Sequence, residues 1–487
     1  MLALGLWLVA ALPLLALLRI VYNVLLHPLR HHPGPKLWAA TRIPWCWNQY
    51  QGKLNHRLVE LHHQYGPAVR VAPDEVSYTS DTAWKTIYGH RTVEMTKDPI
   101  FSLVTPTGVP NIVTADRVTH SRHRRLLSHA FSEKALREQE DILVQYCTKL
   151  LDQLQARCSD GPLDLAKWFP LTTFDLIGSL AFGQDFSCID TGEPYPFVAC
   201  IKGVSRELIM SQMAQYYGFG SLRYFFFLRG SANSRFANAM RAKEMVEDRI
   251  ARGPTDDRKD FWHHVLAAED QGKGLTPDEM VVDAFSIAIA GSDGTATALA
   301  GTTYLLLTHR DVYQQLQGCI RQEFEAEEDI TTLALSNDKV PLLGAVIQEA
   351  MRLFPPVAAT LPRVVPPGGE AIDGLFVPEG TIVGVNQLAA YHSEKNFGQA
   401  SKFLPERWLN EQGDCRAVFQ PFSVGPRNCL GKNLAKAELR LILARMLWRF
   451  DMELLPESQG WMDGQKIYGF WIKPPLMVKF SPRANGV

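Results

Sequence analysis

FSVGPRNCLG, residues 422–431, sets one cysteine between two glycines just ahead of a strong helical pattern that begins near Asn433. A thiol at a helix N-terminus faces backbone N–H groups without partners and the positive end of the helix dipole. Both favour thiolate over thiol, which predicts a lowered pKa for Cys429. Gly425 and Gly431 let backbone approach a flat partner closely, where a side chain would block it. Arg427, two residues before the cysteine, reaches an anion on that partner, and Phe422 covers the sulfur from water.

The other seven cysteines, at 46, 147, 158, 188, 200, 319 and 415, are scattered with no CxxC among them. They read as core thiols in a reducing compartment rather than as a disulfide framework. The 487 residues are 46% hydrophobic and carry a formal net charge of −1. That balance excludes nucleic acid as the main partner, because phosphate neutralisation needs a basic excess. No internal repeat or long polar linker interrupts residues 40–487, which read as one large domain.

MLALGLWLVAALPLLALL has no charged side chain before Arg19, and the apolar run continues to residue 26. About 20 such residues cross a hydrocarbon core. A cleaved signal peptide would want a basic leading region and a shorter apolar stretch. Residues 1–26 are therefore expected to form a transmembrane helix. Arg19 near its end, with Arg30 and Lys36 just beyond it, leaves the rest of the chain in the cytosol. The expected location is the endoplasmic reticulum membrane, crossed once. HHPGPKL then reads as a Pro/Gly hinge over 27–39.

Helical patterns dominate the body, in SEKALREQEDILVQYCTKLLDQLQ, in NLAKAELRLILARMLWRF and above all in residues 276–310. Thr276, Pro277 and Glu279 supply a capping box with proline at the first helical position. A helix from there to Arg310 spans roughly 50 Å and must run through the centre of the domain. AVRVAP, GTIVGVN and PLMVKFS read as short strands. The fold class is mainly α with a small β portion.

A lone sulfur in such a loop serves as a nucleophile, a structural thiol or an axial ligand to haem iron. A nucleophile usually wants a histidine base, and no motif supplies one. F-x-x-G-x-R-x-C-x-G resembles the haem-binding signature of the cytochrome P450 monooxygenases. Residue frequencies alone would join its five fixed positions in about one chain of this length in ten thousand. The resemblance covers essentially the whole chain. EAMR at 349–352, with FLPERWL at 403–409, is similar to the family's buried lock of Glu349, Arg352 and Arg407. HSRHRRLLSHAFS resembles the helix that usually reads W-x-x-x-R, with His120 in place of the tryptophan and Arg124 retained. Arg363 sits where the family places another propionate-binding arginine. HPLRHHPGPKLWA, LHHQYGPAVRVAPDE and AWKTIYGHR look like fungal, membrane-anchored members of secondary metabolism.

The resemblance implies a P450 fold, haem b ligated by Cys429, and dioxygen as co-substrate. The haem-binding set is Phe422, Gly425, Arg427, Cys429, Gly431, His120, Arg124, Arg363 and Gly291. In the central helix, IAIAGSDGTATALAG at 287–301 carries two glycines that each cost about 0.5–1 kcal/mol relative to alanine. The family normally reads A/G-G-x-D/E-T-T/S there. Gly291 is expected to leave room for dioxygen beside a widened helix turn, and Asp293 to lie on the proton path. Gly294 departs from the family, standing where a threonine is usual. Thr295 is about 100° further round and substitutes only if the helix is re-wound. A water or a substrate hydroxyl is the second possibility. Chemistry of another outcome, such as oxidative cyclisation, isomerisation or dehydration, is the third.

The expected substrate is a lipophilic small molecule, in a pocket that includes Phe101, Val357, Leu361, Tyr468 and Phe470. Electrons are expected from NADPH through a separate P450 reductase-type flavoprotein. Arg122, Arg125, Lys432, Lys436 and Arg440 form a docking face for it or an ordinary solvated one. YYGFGSLRYFFFL at 216–228 enters the bilayer or packs in the core. A haem-thiolate sensor or carrier without turnover is the competing class, against which Asp293 and Gly291 argue.

Overall fold

The computed structural model describes residues 13–101, 108–195, 209–220, 232–253, 260–267, 274–336, 339–410 and 413–483. Helices dominate and the sheets are small, as the sequence pattern predicts. Six helices position the site: α1 (Arg117–Ser128), α2 (Glu140–Arg157), α3 (Leu165–Phe182), α4 (Pro277–Thr308), α5 (Pro341–Leu353) and α6 (Lys432–Arg449). α4 is the axis of the core and packs against α3, α5 and α6.

α3 is apolar nearly all round, and every residue in it except Lys167 and Pro170 is buried. A helix without a polar face belongs in the middle of a core. Asp164 starts it by accepting the Ala166 N–H at 2.9 Å, and Gly183 ends it at φ +65°. α4 opens as expected, with the Glu279 N–H on Thr276 Oγ1 at 3.3 Å and the Thr276 N–H on the Glu279 carboxylate at 2.9 Å. It ends at Thr308 rather than Arg310, and the next helix, Arg310–Glu323, starts at once. Its backbone stays α-helical through residues 290–295, so no widened turn forms there. The pattern at 132–155 divides into Glu133–Glu138 and α2, with Gln139 between them.

The largest sheet has the order β1-β2-β5-β4-β3, from β1 (Ala68–Ala72), β2 (Glu75–Tyr78), β3 (Thr96–Lys97), β4 (Arg363–Val364) and β5 (Ile382–Val385). β2 and β5 run parallel and the other pairs antiparallel. The register of β3 on β4 sets Lys97 opposite Arg363. A hairpin of Lys466–Tyr468 and Phe470–Ile472 and a three-stranded sheet built on Met477–Pro482 close the C-terminal end.

Residues 1–12 of the anchor segment lie outside the described residues, and 13–26 are helical with their leucines exposed. Among the described residues no helix is long and apolar enough to cross a membrane. The hinge is docked rather than free. Leu29 is fully buried, the Arg70 N–H donates to Pro33 O at 2.7 Å, and buried Asn23 donates to Ala40 O at 2.9 Å.

Candidate active site

The loop before α6 holds Cys429 by its backbone, whose N–H donates to Phe422 O at 2.8 Å. Phe422 packs against the main core. Gly425 has φ +74°, and a Cβ there would stand 2.0 Å from the Tyr88 carbonyl oxygen. Glycine is required at this position by its neighbour Tyr88 and by the left-handed backbone. Gly431 caps α6 and has ordinary room, the nearest atom to an added Cβ being a Phe131 ring carbon at 3.8 Å. Cys429 is an exposed residue, yet enough protein crowds the sulfur for burial to push the thiol up from its ordinary pKa. The Gly431 N–H, Arg124 and Lys432 pull it down without overcoming that effect. In the protein by itself, desolvation thus outweighs the Gly431 N–H and the two cations, against the lowered value expected from the helix terminus alone.

Around this loop the structure gathers cations. Arg124 donates to both the backbone and side-chain oxygens of Asn428, the latter at 2.5 Å. Arg427 pairs with Glu94 and donates to Ala115 O at 3.0 Å. Arg363 is buried, with one long hydrogen bond to Pro362 O at 3.5 Å. His120 is buried, and desolvation with the nearby Arg427, Lys97 and Arg124 holds it at about 4. Lys97, absent from the sequence reading, belongs to the same group. Burial and repulsion from Arg363 and Arg427 bring its ammonium down to about 7. Its signal is the strand register opposite Arg363, which a single sequence does not display. His123 is engaged elsewhere, its Nδ1 lying 2.7 Å from Asp283 Oδ2 on α4, and the Ile112 N–H reaches Asp283 Oδ1 at 2.6 Å. That contact fixes α1, and with it His120 and Arg124, against the central helix.

On α4 the two glycines face different ways. A Cβ on Gly291 would lie 2.8 Å from Ile177 Cδ1 of α3, so this glycine serves close helix packing. The expected space for dioxygen at Gly291 is not on that face. Among the described residues, α4 is open instead where Ala290 is exposed in mid-helix and where a Cβ on Gly294 would meet nothing within 4 Å. Asp293 is on that side, with Lys473 Nζ at 3.1 Å. Thr295 turns away. It is buried and bonded to Glu438 of α6, whose carboxyl burial pushes up to about 8. With the helix un-rewound, Thr295 does not reach the face of Gly294.

The lock at Glu349 is assembled as the resemblance implied. Arg352 makes paired bonds to Glu349 at 2.9 and 2.7 Å, and Arg407 Nε reaches the same carboxylate at 3.0 Å. Trp408 Nε1 at 2.9 Å, and Asp414 on Arg407 at 2.6 Å, complete it. Of the proposed basic face, Arg125, Lys432 and Lys436 are exposed, whereas Arg122 is taken by Glu279. Phe101 and Val357 are exposed and Leu361 and Phe470 half-buried, while the Tyr468 hydroxyl donates to Tyr50 O at 3.1 Å. Residues 221–228 of the aromatic stretch lie outside the described residues.

The sequence profile of the family "Cytochrome P450" matches residues 33–480. Cytochrome P450 monooxygenase aclL of Aspergillus oryzae is 43% identical over 473 residues, 95% of this chain and 95% of that one. Cytochrome P450 monooxygenase stcF of Emericella nidulans is 40% identical over 471 residues, covering 95% and 97% of the two chains. Averantin hydroxylase of Dothistroma septosporum is 38% identical over 481 residues, covering 98% and 91%. The cysteine loop, the Glu349 lock and a match along nearly the full chain lead to one assignment: the chain belongs to the cytochrome P450 family and is a monooxygenase.

Proposed function

We propose that this monooxygenase inserts oxygen from O2 into a lipophilic intermediate of secondary-metabolite biosynthesis, with Cys429 holding haem b. The observation that carries the haem assignment is a single thiol beside a cluster of partly desolvated cations. Lys97, Arg124 and Arg363 are each pushed below their ordinary pKa beside a neutral His120, and Glu94 pairs with Arg427. Two propionate charges are what such a cluster lacks. When bound, haem activates dioxygen and transfers one oxygen atom to the substrate. Cys429 would hold the haem through its sulfur, Lys97, Arg124 and Arg363 would hold the propionates, and Phe422 would keep water from the sulfur. Asp293 would pass protons at the open face of α4, and the Glu349 lock fixes the segment that leads to the cysteine loop.

Substrate class is inferred from the apolar wall residues and from relatives whose names include averantin hydroxylase. Electrons are proposed to come from NADPH through a separate flavoprotein reductase, docking near exposed Arg125, Lys432 and Lys436. The apolar run over 1–26 supports a single-pass anchor in the endoplasmic reticulum membrane, with the catalytic domain in the cytosol. One observation favours a second outcome. Gly294 carries no hydroxyl and Thr295 is committed to Glu438, so oxidative cyclisation, isomerisation or dehydration replaces hydroxylation if the substrate supplies no hydroxyl of its own.

Reduction of purified protein by dithionite under carbon monoxide tests the ligand: a red-shifted Soret band lost in Cys429→Ala is expected, and a colourless preparation would overturn the reading. Deletion in the native host, followed by identification of the accumulating compound, tests substrate class. Accumulation of a polar metabolite, or of none, would reject it.

A further inference from the structure

We infer that Lys473 is a positioning residue that holds the Asp293 carboxylate for proton delivery. The inference rests on the monooxygenase reading above and adds to it a residue from the far end of the chain. Lys473 follows the strand Phe470–Ile472, and its side chain is almost fully buried. Its Nζ donates to Asp293 Oδ1 at 3.1 Å and to Thr297 Oγ1 at 2.6 Å. The Thr297 hydroxyl donates in turn to Asp293 Oδ2 at 3.4 Å. The three groups form a closed ring in which each carboxylate oxygen has its own donor, so the carboxylate is held in one orientation along α4.

The hairpin that carries Lys473 is itself fixed. Trp471 Nε1 donates to Pro355 O at 2.8 Å, and its ring lies against Phe354 with centroids 4.2 Å apart. A buried ion pair is weak evidence of a stabilising role, since an apolar residue of the same volume often does as well. Here the ion pair sits on a mid-helix face of α4 that is open among the described residues, beside Ala290 and Gly294. With glycine at 294, Asp293 is the titratable group on that stretch of the helix. Oxygen insertion consumes one O2, two electrons and two protons, placing one oxygen atom in product and releasing the other as water. Without an organic substrate, the same electrons and protons yield peroxide, and twice as many yield two waters. A proton arriving on Asp293 displaces one donor of the ring. Once it has moved on, the ammonium returns the carboxylate to its place.

The test needs only dioxygen as probe. Holoprotein with NADPH and a P450 reductase is followed for NADPH consumed, O2 consumed and peroxide released, in water and in deuterium oxide. Lys473→Met is expected to raise peroxide per NADPH at least about threefold and to enlarge the solvent isotope effect. Lys473→Arg is expected to restore both. Asp293→Asn reproduces the loss, and the double variant goes no further, because the two residues act as one unit. An unchanged peroxide fraction in Lys473→Met with an intact carbonyl band overturns the inference, as do additive losses. A lowered melting temperature with neither effect assigns Lys473 a structural role only and also overturns it. Absence of the red-shifted carbonyl band in the wild type instead overturns the haem-thiolate reading.

Discussion

Gly291 and Gly294 look alike in the sequence, and their neighbours separate them. Gly291→Ala must displace Ile177, so it should cost about 1–3 kcal/mol, and Gly291→Ala with Ile177→Val should recover most of the loss in thermal denaturation. Recovery of stability without recovery of turnover would return Gly291 to the dioxygen site. Glu438 makes a pH-dependent prediction. Its carboxyl rises from an ordinary 4.5 to about 8, so the folded chain keeps a proton that the unfolded chain releases. That contribution to stability is full below about pH 4.5 and fades as pH climbs towards 8. Glu438→Gln should therefore raise the melting temperature near pH 8 relative to wild type, and the advantage should vanish near pH 5, as scanning calorimetry would show. Cys429, Arg124, Arg363 and Glu349 are legible in the chain because short motifs carry them. Lys97, Glu438 and Lys473 are not, because strand register and helix packing bring them in from distant segments.

At the scale of elements, capping chemistry marked the start of α4, and an unbroken apolar pattern marked its place in the core. Its unwidened middle was not foreseen, since two glycines permit a re-wound turn without demanding one. The Glu349 lock binds α5 to the segment before the cysteine loop by bonds from Arg352, Arg407, Trp408 and the Leu404 N–H. Glu349→Gln leaves the buried Arg352 guanidinium without its carboxylate and Arg407 with Asp414 alone. A loss of about 3–5 kcal/mol in chemical denaturation is expected, together with poor haem retention. A variant as stable as wild type would remove the lock from the account of how Cys429 is held.

For the molecule as a whole, packing against the body begins ahead of the proline-rich segment. Asn23 and Leu29 are buried in the body, and Arg70 donates from its side chain to Asn23 O at 3.0 Å. Removing residues 1–21 should leave the carbonyl spectrum and melting temperature of the remainder unchanged. Removing 1–26 should lower the melting temperature by about 1–2 °C, the shift for roughly 1–2 kcal/mol lost in a chain of this size. Equal stability of the two truncations would place the start of that packing after residue 26. The opposition of Lys97 and Arg363 across two short strands has a wider reach. An ammonium brought down to about 7 by burial and by its cationic neighbours is only part-charged in neutral buffer. Arrival of a dicarboxylate porphyrin would return it to full charge, so loading the protein entails proton uptake from solvent. By thermodynamic linkage the chain should grip its prosthetic group less tightly as alkalinity increases, and transfer of that group to an acceptor apoprotein would quicken accordingly.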